Sequence, residues 1–177
     1  MDFPMVVADI GSFQSVVGFA GDDDPRDVVR SLVAEAYGQD KLYGEMASSQ
    51  VEHTWTYPFA NGYIHEGEID TNKLLAAIFM RVDHENAIEN QGILISEPLG
   101  MSDKERKYVM EKFFETFSAP KFASLPAPLL TLISRGLTTG LVIDSGHRPN
   151  TDVCPIIDGQ IDLGAVKSTQ VSGNDIS

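Results

Sequence analysis

The chain has 177 residues, enough for one ordinary domain with a real core, and its 42% apolar and 22% charged content argues against disorder over most of its length. Its 13 basic and 26 acidic residues give a formal net charge of −13, which argues against a general nucleic-acid binder and against docking on anionic lipid. A single cysteine, Cys154, permits neither an intrachain disulfide nor a CxxC zinc site. The start carries no basic segment followed by an apolar run, so no signal peptide is expected. The longest apolar stretch, Leu74–Met80, is far shorter than a membrane span.

Taken in chain order, Pro4–Ile10 reads as a buried strand and Val16–Ala20 as a second, joined in a hairpin around Gly11-Ser12-Phe13-Gln14. An acidic turn, Gly21–Pro25, leads to a third strand over Val28–Val33. Residues 34–50 show weak periodicity and read mostly as loop. Val51–Tyr57 is rich in β-formers and reads as a strand, with Asn61-Gly62 as a turn and Tyr63-Ile64 as the start of another strand. Asp70-Thr71-Asn72 offers a cap for a helix over 73–82, in which Leu74, Leu75, Ile78, Phe79 and Val82 share one face. Gly92–Ser96 is a short strand. Ser102-Asp103 caps a helix running to Phe117, with an apolar stripe of Val109, Met110, Phe113, Phe114 and Phe117. A strand over Phe122–Leu125, a helix over Pro128–Ser134 and a strand over Leu141–Ile143 follow. Val153–Ile157 and Gln160–Leu163 flank Asp158-Gly159 as a hairpin. Alternation of strands and helices in the middle, with hairpins at each end, predicts an α/β fold with a mixed sheet.

One internal echo carries chemistry. A strand ends in Asp9-Ile10-Gly11-Ser12, and another ends in Asp144-Ser145-Gly146. Glycine lets the backbone approach a phosphate, successive N–H groups form an anion nest, and serine donates to a phosphate oxygen. An aspartate at such a turn can hold a hydrated Mg²⁺. The alternative is two ordinary turns in which Asp and Ser bond their own backbone. His53, His65, His84 and His147 lack metal-ligand spacing, so no structural metal is expected.

The segment Gly18-Phe19-Ala20-Gly21-Asp22-Asp23-Asp24-Pro25-Arg26 resembles a signature near the start of actin. Phe114-Glu115-Thr116-Phe117 and Thr138-Thr139-Gly140-Leu141-Val142-Ile143-Asp144-Ser145-Gly146 match the same family in order and spacing, as do Tyr57-Pro58 and Ser96-Glu97-Pro98-Leu99. The chain is therefore identified as similar to actin and actin-related proteins from about Val6 almost to its end. The resemblance implies a ribonuclease H-like ATPase fold, incomplete here: a five-stranded mixed sheet with flanking helices, plus the beginning of a second half. Residues 1–30 and 58–134 would form the first subdomain, 31–57 a shortened insertion, and 135–177 the start of the second half. In the family, ATP and Mg²⁺ lie between two phosphate-binding hairpins. Carried over, Gly11, Ser12, Ser145 and Gly146 would meet phosphate, and Asp9 and Asp144 would face the metal through water.

Departures from the family pattern fall on the chemistry. Val16 stands where the family has a phosphate-contacting lysine, and Ala127 where it has a glutamine that positions the attacking water. The second hairpin continues as His147-Arg148-Pro149 with an apparent extra residue, and Pro149 removes an N–H donor. His147 and Arg148 either offer charge to an anion or form a solvated turn. Asn61 replaces a histidine near the cleft. The segment before Pro58 is shorter than in actin, and the similarity stops early in the second half, as expected of a truncated relative. These departures favour a non-catalytic actin-related subunit over a working ATPase or a filament protein. They imply no required cofactor and at most weak ATP or ADP with Mg²⁺. The expected partners are other protein subunits, with neither nucleic acid nor membrane, in the cytoplasm, cytoskeleton or nucleus.

Overall fold

The computed structural model describes residues 5–50, 53–59, 69–82 and 87–175. Its main sheet is built from β1 (Val6–Ile10), β2 (Gln14–Phe19), β3 (Asp27–Arg30), β7 (Ile93–Glu97) and β8 (Phe122–Pro126), in the order β3-β2-β1-β7-β8. The β1–β2 and β2–β3 pairs are antiparallel hairpin products, whereas β1–β7 and β7–β8 are parallel. The expected five-stranded mixed sheet is thus present.

The parallel pairs need crossovers, and helices supply them. Between β1–β3 and β7 come α2 (Ile69–Phe79) and α3 (Ala87–Gln91); between β7 and β8 comes α4 (Asp103–Thr116). The predicted face of α2 is the core: Leu74, Leu75, Ile78 and Phe79 are all buried, and Val82 is buried too but lies in the turn after the helix, which ends at Phe79 rather than at the expected 82. Val109 and Phe113 of α4 are buried too, and Phe79, Phe113, Phe117 and Phe122 form a ring cluster with centroids 5.4–5.6 Å apart. Met110 and Phe114 lie at the margin of the stripe and stay part-exposed. Ser102 starts α4 with a capping box: its hydroxyl accepts from the Glu105 N–H, and the Glu105 carboxylate accepts from the Ser102 N–H.

A second sheet follows α5 (Ala127–Ser134). It contains β9 (Gly140–Ser145), β10 (Thr151–Ile157), β11 (Gln160–Ile161) and β12 (Lys167–Thr169), with β10 antiparallel to the other three. Leu132, Val142, Cys154 and Ile156 form its own small core.

Several expectations need correction. The single strand over 28–33 is two strands. Ser31 donates its N–H to the Phe13 carbonyl and shares a buried hydroxyl contact with Ser15, which ends β3 and turns the chain into a different sheet. The loop over 34–50 contains β5 (Leu42–Tyr43), α1 (Glu45–Ser48) and most of β4 (Val33–Glu35). With β6 (Thr54–Thr56) these strands make a small third sheet, β5-β4-β6. Elements of two to four residues are too short to show a period. Asp70, Thr71 and Asn72 lie inside α2 rather than capping it, because Asp70 accepts bonds from Lys41 and Tyr43 across to β5. Helix α3 and strand β12 were absent from the sequence reading. The Asn61-Gly62 turn and the Tyr63-Ile64 strand lie outside the described residues.

Candidate functional site

Three parallel strands, β1, β7 and β8, end on the same side of the main sheet, and ligands of open α/β sheets bind beyond such carboxyl ends. A cleft of about 150 Å³ opens there. Asp9, Gly11 and Ser12 line it from the end of β1 and its turn, Ser96 and Pro98 from the end of β7, and Ala127 from the start of α5, just after β8. Asp144, Gly146, His147 and Arg148 line it from the β9–β10 turn. The two echoing turns therefore face one cleft. Its volume is below the roughly 300–1,000 Å³ that enclose a drug-sized ligand.

Gly11 is required by the backbone: a Cβ there would lie 2.5 Å from the Gln14 carbonyl oxygen. Beside it, the Ser12 hydroxyl is buried and has no hydrogen-bond partner among the described residues. A buried orphan hydroxyl costs free energy unless something outside the protein meets it, so Ser12 fits an oxygen acceptor in the cleft. Asp9 accepts a hydrogen bond from the Ser96 hydroxyl on the neighbouring strand. Val16 sits opposite Asp9 in the β1–β2 ladder and lines an adjoining groove rather than this cleft.

On the other wall, Ser145 is outside the cleft lining; its hydroxyl pairs with that of Thr151 at 2.7 Å. Pro149 faces a separate depression with Leu99, Asp152 and Leu163. Arg148 turns inward. Its Nη2 donates to Asp144 Oδ2 and to Asp152 Oδ2, each at 2.8 Å, and its side chain is only 12% exposed. His147 crosses the cleft. Its ring lies 4.9 Å from the Phe13 ring at 25°, and Tyr57 stands 6.0 Å from Phe13 and 5.8 Å from His147. The Arg30 guanidinium carbon lies 3.9 Å from the Phe13 ring centre, a cation–π distance.

The family's Mg²⁺ can be tested against these groups. A hydrated divalent ion needs carboxylate oxygens free to meet its water shell. Here one Asp144 oxygen holds a guanidinium, and Asp9 holds a serine hydroxyl. The donor set around Asp144 does not fit the metal, while Ser12 does fit an anion. Nor does Ala127 offer any group to orient a water, since its side chain is a methyl.

Of the residues expected at the site, Asp9, Gly11, Ser12, Asp144 and Gly146 line the cleft and Ser145 does not, while Ser96, Asp152, Phe13, Arg30 and Tyr57 were not among those expected there. Asp152 had a legible signal, standing four residues beyond Arg148 just as Asp144 stands four before it. An aromatic residue in a tight turn, Phe13, was the other.

Glu97, at the end of β7, stands between Ser96 and Pro98, which line the cleft, without lining it itself. It is 5% exposed, takes a two-pronged bond from Arg106 at 2.9 and 3.0 Å, and accepts from Ser124 at 2.8 Å. Burial alone pushes its carboxyl up, but the Arg106 and Ser124 bonds outweigh that and hold it below the usual carboxylate range.

Comparison with known proteins agrees with this geometry. A family model described as actin matches residues 2–177. Actin-related protein 3 of Drosophila melanogaster is 24% identical over 199 residues, an alignment covering 98% of this chain and 47% of that protein. The chain spans about half the length of that curated relative. With the mixed sheet, the paired turns and a family match over nearly all of its residues, the chain belongs to the actin family.

Proposed function

We propose that this chain is a non-catalytic actin-related subunit that serves as a scaffold within a larger protein assembly. The observation that carries the reading is the Phe13–His147 stack: side chains of the two turns touch directly across the cleft. A nucleotide is then not needed to hold the turns together. Val16 and Ala127 are consistent with this, because neither supplies the cation or the water-orienting group that phosphoryl transfer depends on.

Partners on this reading are other protein subunits, with neither nucleic acid nor membrane involved. No helix among the described residues is long and apolar enough to cross a membrane. Leu141 and Ile143 alternate onto one face of the edge strand β9 and are 63% and 66% exposed, the kind of apolar surface that marks protein contact. The same reading divides the chain into 1–30 with 58–134, 31–57, and 135–177, and places it in the cytoplasm or cytoskeleton, with the nucleus as a further location.

A second reading has one observation in its favour. The Ser12 hydroxyl, without a partner among the described residues, supports a retained, weak contact with ATP or ADP phosphate, as in an actin-type ATPase or filament protein of which this is the N-terminal half. Isothermal titration with Mg-ATP and a single-turnover assay separate the two. The scaffold reading expects Kd weaker than about 1 μM and no phosphate release. Submicromolar binding with steady hydrolysis would refute it. Partners are sought by co-purification from the native source with mass identification.

A further inference from the structure

Asp144 and Asp152 stand directly opposite each other on β9 and β10. Like charges in that position repel, and here the Asp152 side chain is only 7% exposed, so water screens the pair poorly. Such an arrangement needs a cation between the carboxylates. Arg148 is that cation: it comes from the turn joining the two strands, and a single nitrogen, Nη2, serves both oxygens at 2.8 Å. Among the described ion pairs its side chain is the least exposed of the cations, at 12% against 37–70% for the rest.

We propose that Arg148 is the resident cation of the cleft, standing in for the divalent metal and keeping one out. The ion pair lines the cleft beside Asp9 and Gly146. A guanidinium and a hydrated divalent ion cannot share the same carboxylate oxygen at contact distance, because each brings a fixed shell of donors or waters. The covalent tether decides the competition. Arg148 is always present at its site, whereas a metal must be drawn from solution and shed part of its hydration. The pair is also largely neutralised without metal, since one guanidinium between two carboxylates lowers the local charge from −2 to −1. Removing Arg148 leaves Asp144 and Asp152 facing each other, with Asp9 nearby on the opposite wall. That is a charge a divalent ion relieves.

The test uses Mn²⁺ alone, without nucleotide, so that its outcome is independent of the non-catalytic reading. Free Mn²⁺ is followed by electron paramagnetic resonance in titrations of the full chain, and melting temperature is measured with and without the ion. Wild type is expected to show no saturable site below millimolar Mn²⁺ and no metal-dependent melting. Arg148→Ala is expected to bind Mn²⁺ at least tenfold more tightly and to regain melting temperature as the ion is added. Arg148→Lys keeps the positive charge and is expected to stay close to wild type. Asp144→Asn placed on Arg148→Ala is expected to remove the gained binding. Saturable binding to wild type with Kd below about 1 mM overturns the proposal whatever the variants do. A folded Arg148→Ala that gains no affinity overturns it too. If Arg148→Ala folds only with Mn²⁺ present, the metal has taken the arginine's place, as proposed. Tight Mg-ATP binding by wild type with Mn²⁺ binding still absent leaves the proposal standing and removes the scaffold reading instead.

Discussion

Glu97, next to two residues that line the cleft, is a buried charge kept by its neighbours. Its carboxylate is buried, and Arg106 and Ser124 supply the bonds that keep it charged. Arg106→Ala leaves that charge without its main partner and is expected to cost about 2–3 kcal/mol, read as a lower urea midpoint at pH 7. The pH dependence follows from the sign. The folded carboxyl titrates below its unfolded value, which is about 4.3 for glutamate. Its contribution is therefore full above that value and is lost as pH falls through the lower, folded one. Urea midpoints measured from pH 7 to pH 2.5 should fall more steeply for wild type than for Glu97→Gln. Equal slopes would show that Glu97 is not linked to acid unfolding. Cys154 makes a second residue-scale case. Burial first, then the charges of Asp152 and Asp144, push its thiol up. The native chain should react with a disulfide reagent at pH 8 only as fast as it unfolds, and promptly in urea.

Among the elements, α4 and the β9–β10 hairpin show what a sequence can and cannot announce. Helix α4 was legible because its signals are local: Ser102-Asp103 marks the cap, and Val109 and Phe113 repeat at helical spacing. Ser102→Ala should lower stability by about 1 kcal/mol, measurable as a shifted thermal midpoint. The hairpin was legible as a pair of strands, but the directions of its turn side chains were not. His147 and Arg148 read as a solvated turn or an anion site. In the structure one lies against Phe13 and the other between two aspartates, contacts that join residues distant in sequence. His147→Ala should cost about 1 kcal/mol, the usual worth of a ring pair. It should also speed amide exchange in both turns, 11–14 and 145–149. Faster exchange confined to 145–149 would mean that the stack does not couple the two turns.

At the scale of the whole molecule, the mixed sheet was readable because each strand carried its own β-pattern, and the parallel pairing followed from the helices between them. Of the small sheet β5-β4-β6, β6 was readable inside the strand expected over 51–57, but β4 and β5 were not, since strands of two or three residues depend on packing for existence. The cleft was half readable. Its glycines and aspartates lie in motifs, whereas Ser96 and Asp152 meet their partners only once the strands pair. The proposed docking face belongs to this scale. Leu141→Asp with Ile143→Asp should change folding stability by little, because both side chains are largely exposed, yet should abolish co-purification of the partner subunits. Unchanged co-purification would move the contact to another face. No sedimenting filaments are expected when salt and Mg²⁺ are added to the purified chain, and helical filaments under the electron microscope would contradict that.

The parallel pairing of β1 with β7 has a consequence in time. Asp9 and Ser96, neighbours at the ends of those strands, lie 87 residues apart in the chain. During synthesis at about 5–20 residues per second, β7 emerges roughly 4–17 seconds after β1. For that interval β1 pairs only with β2, and its other edge offers unpaired N–H and C=O groups flanked by Val6, Ala8 and Ile10. An open apolar edge invites pairing with another nascent chain. The acidic turn Asp22-Asp23-Asp24 leaves the ribosome soon after β2 and places three negative charges at one end of the waiting hairpin. Like charges on neighbouring nascent chains oppose their approach during those seconds. Ribosome-bound chains halted before residue 90 should therefore aggregate more readily when the three aspartates are replaced by asparagine, a difference that vanishes for chains halted beyond residue 130.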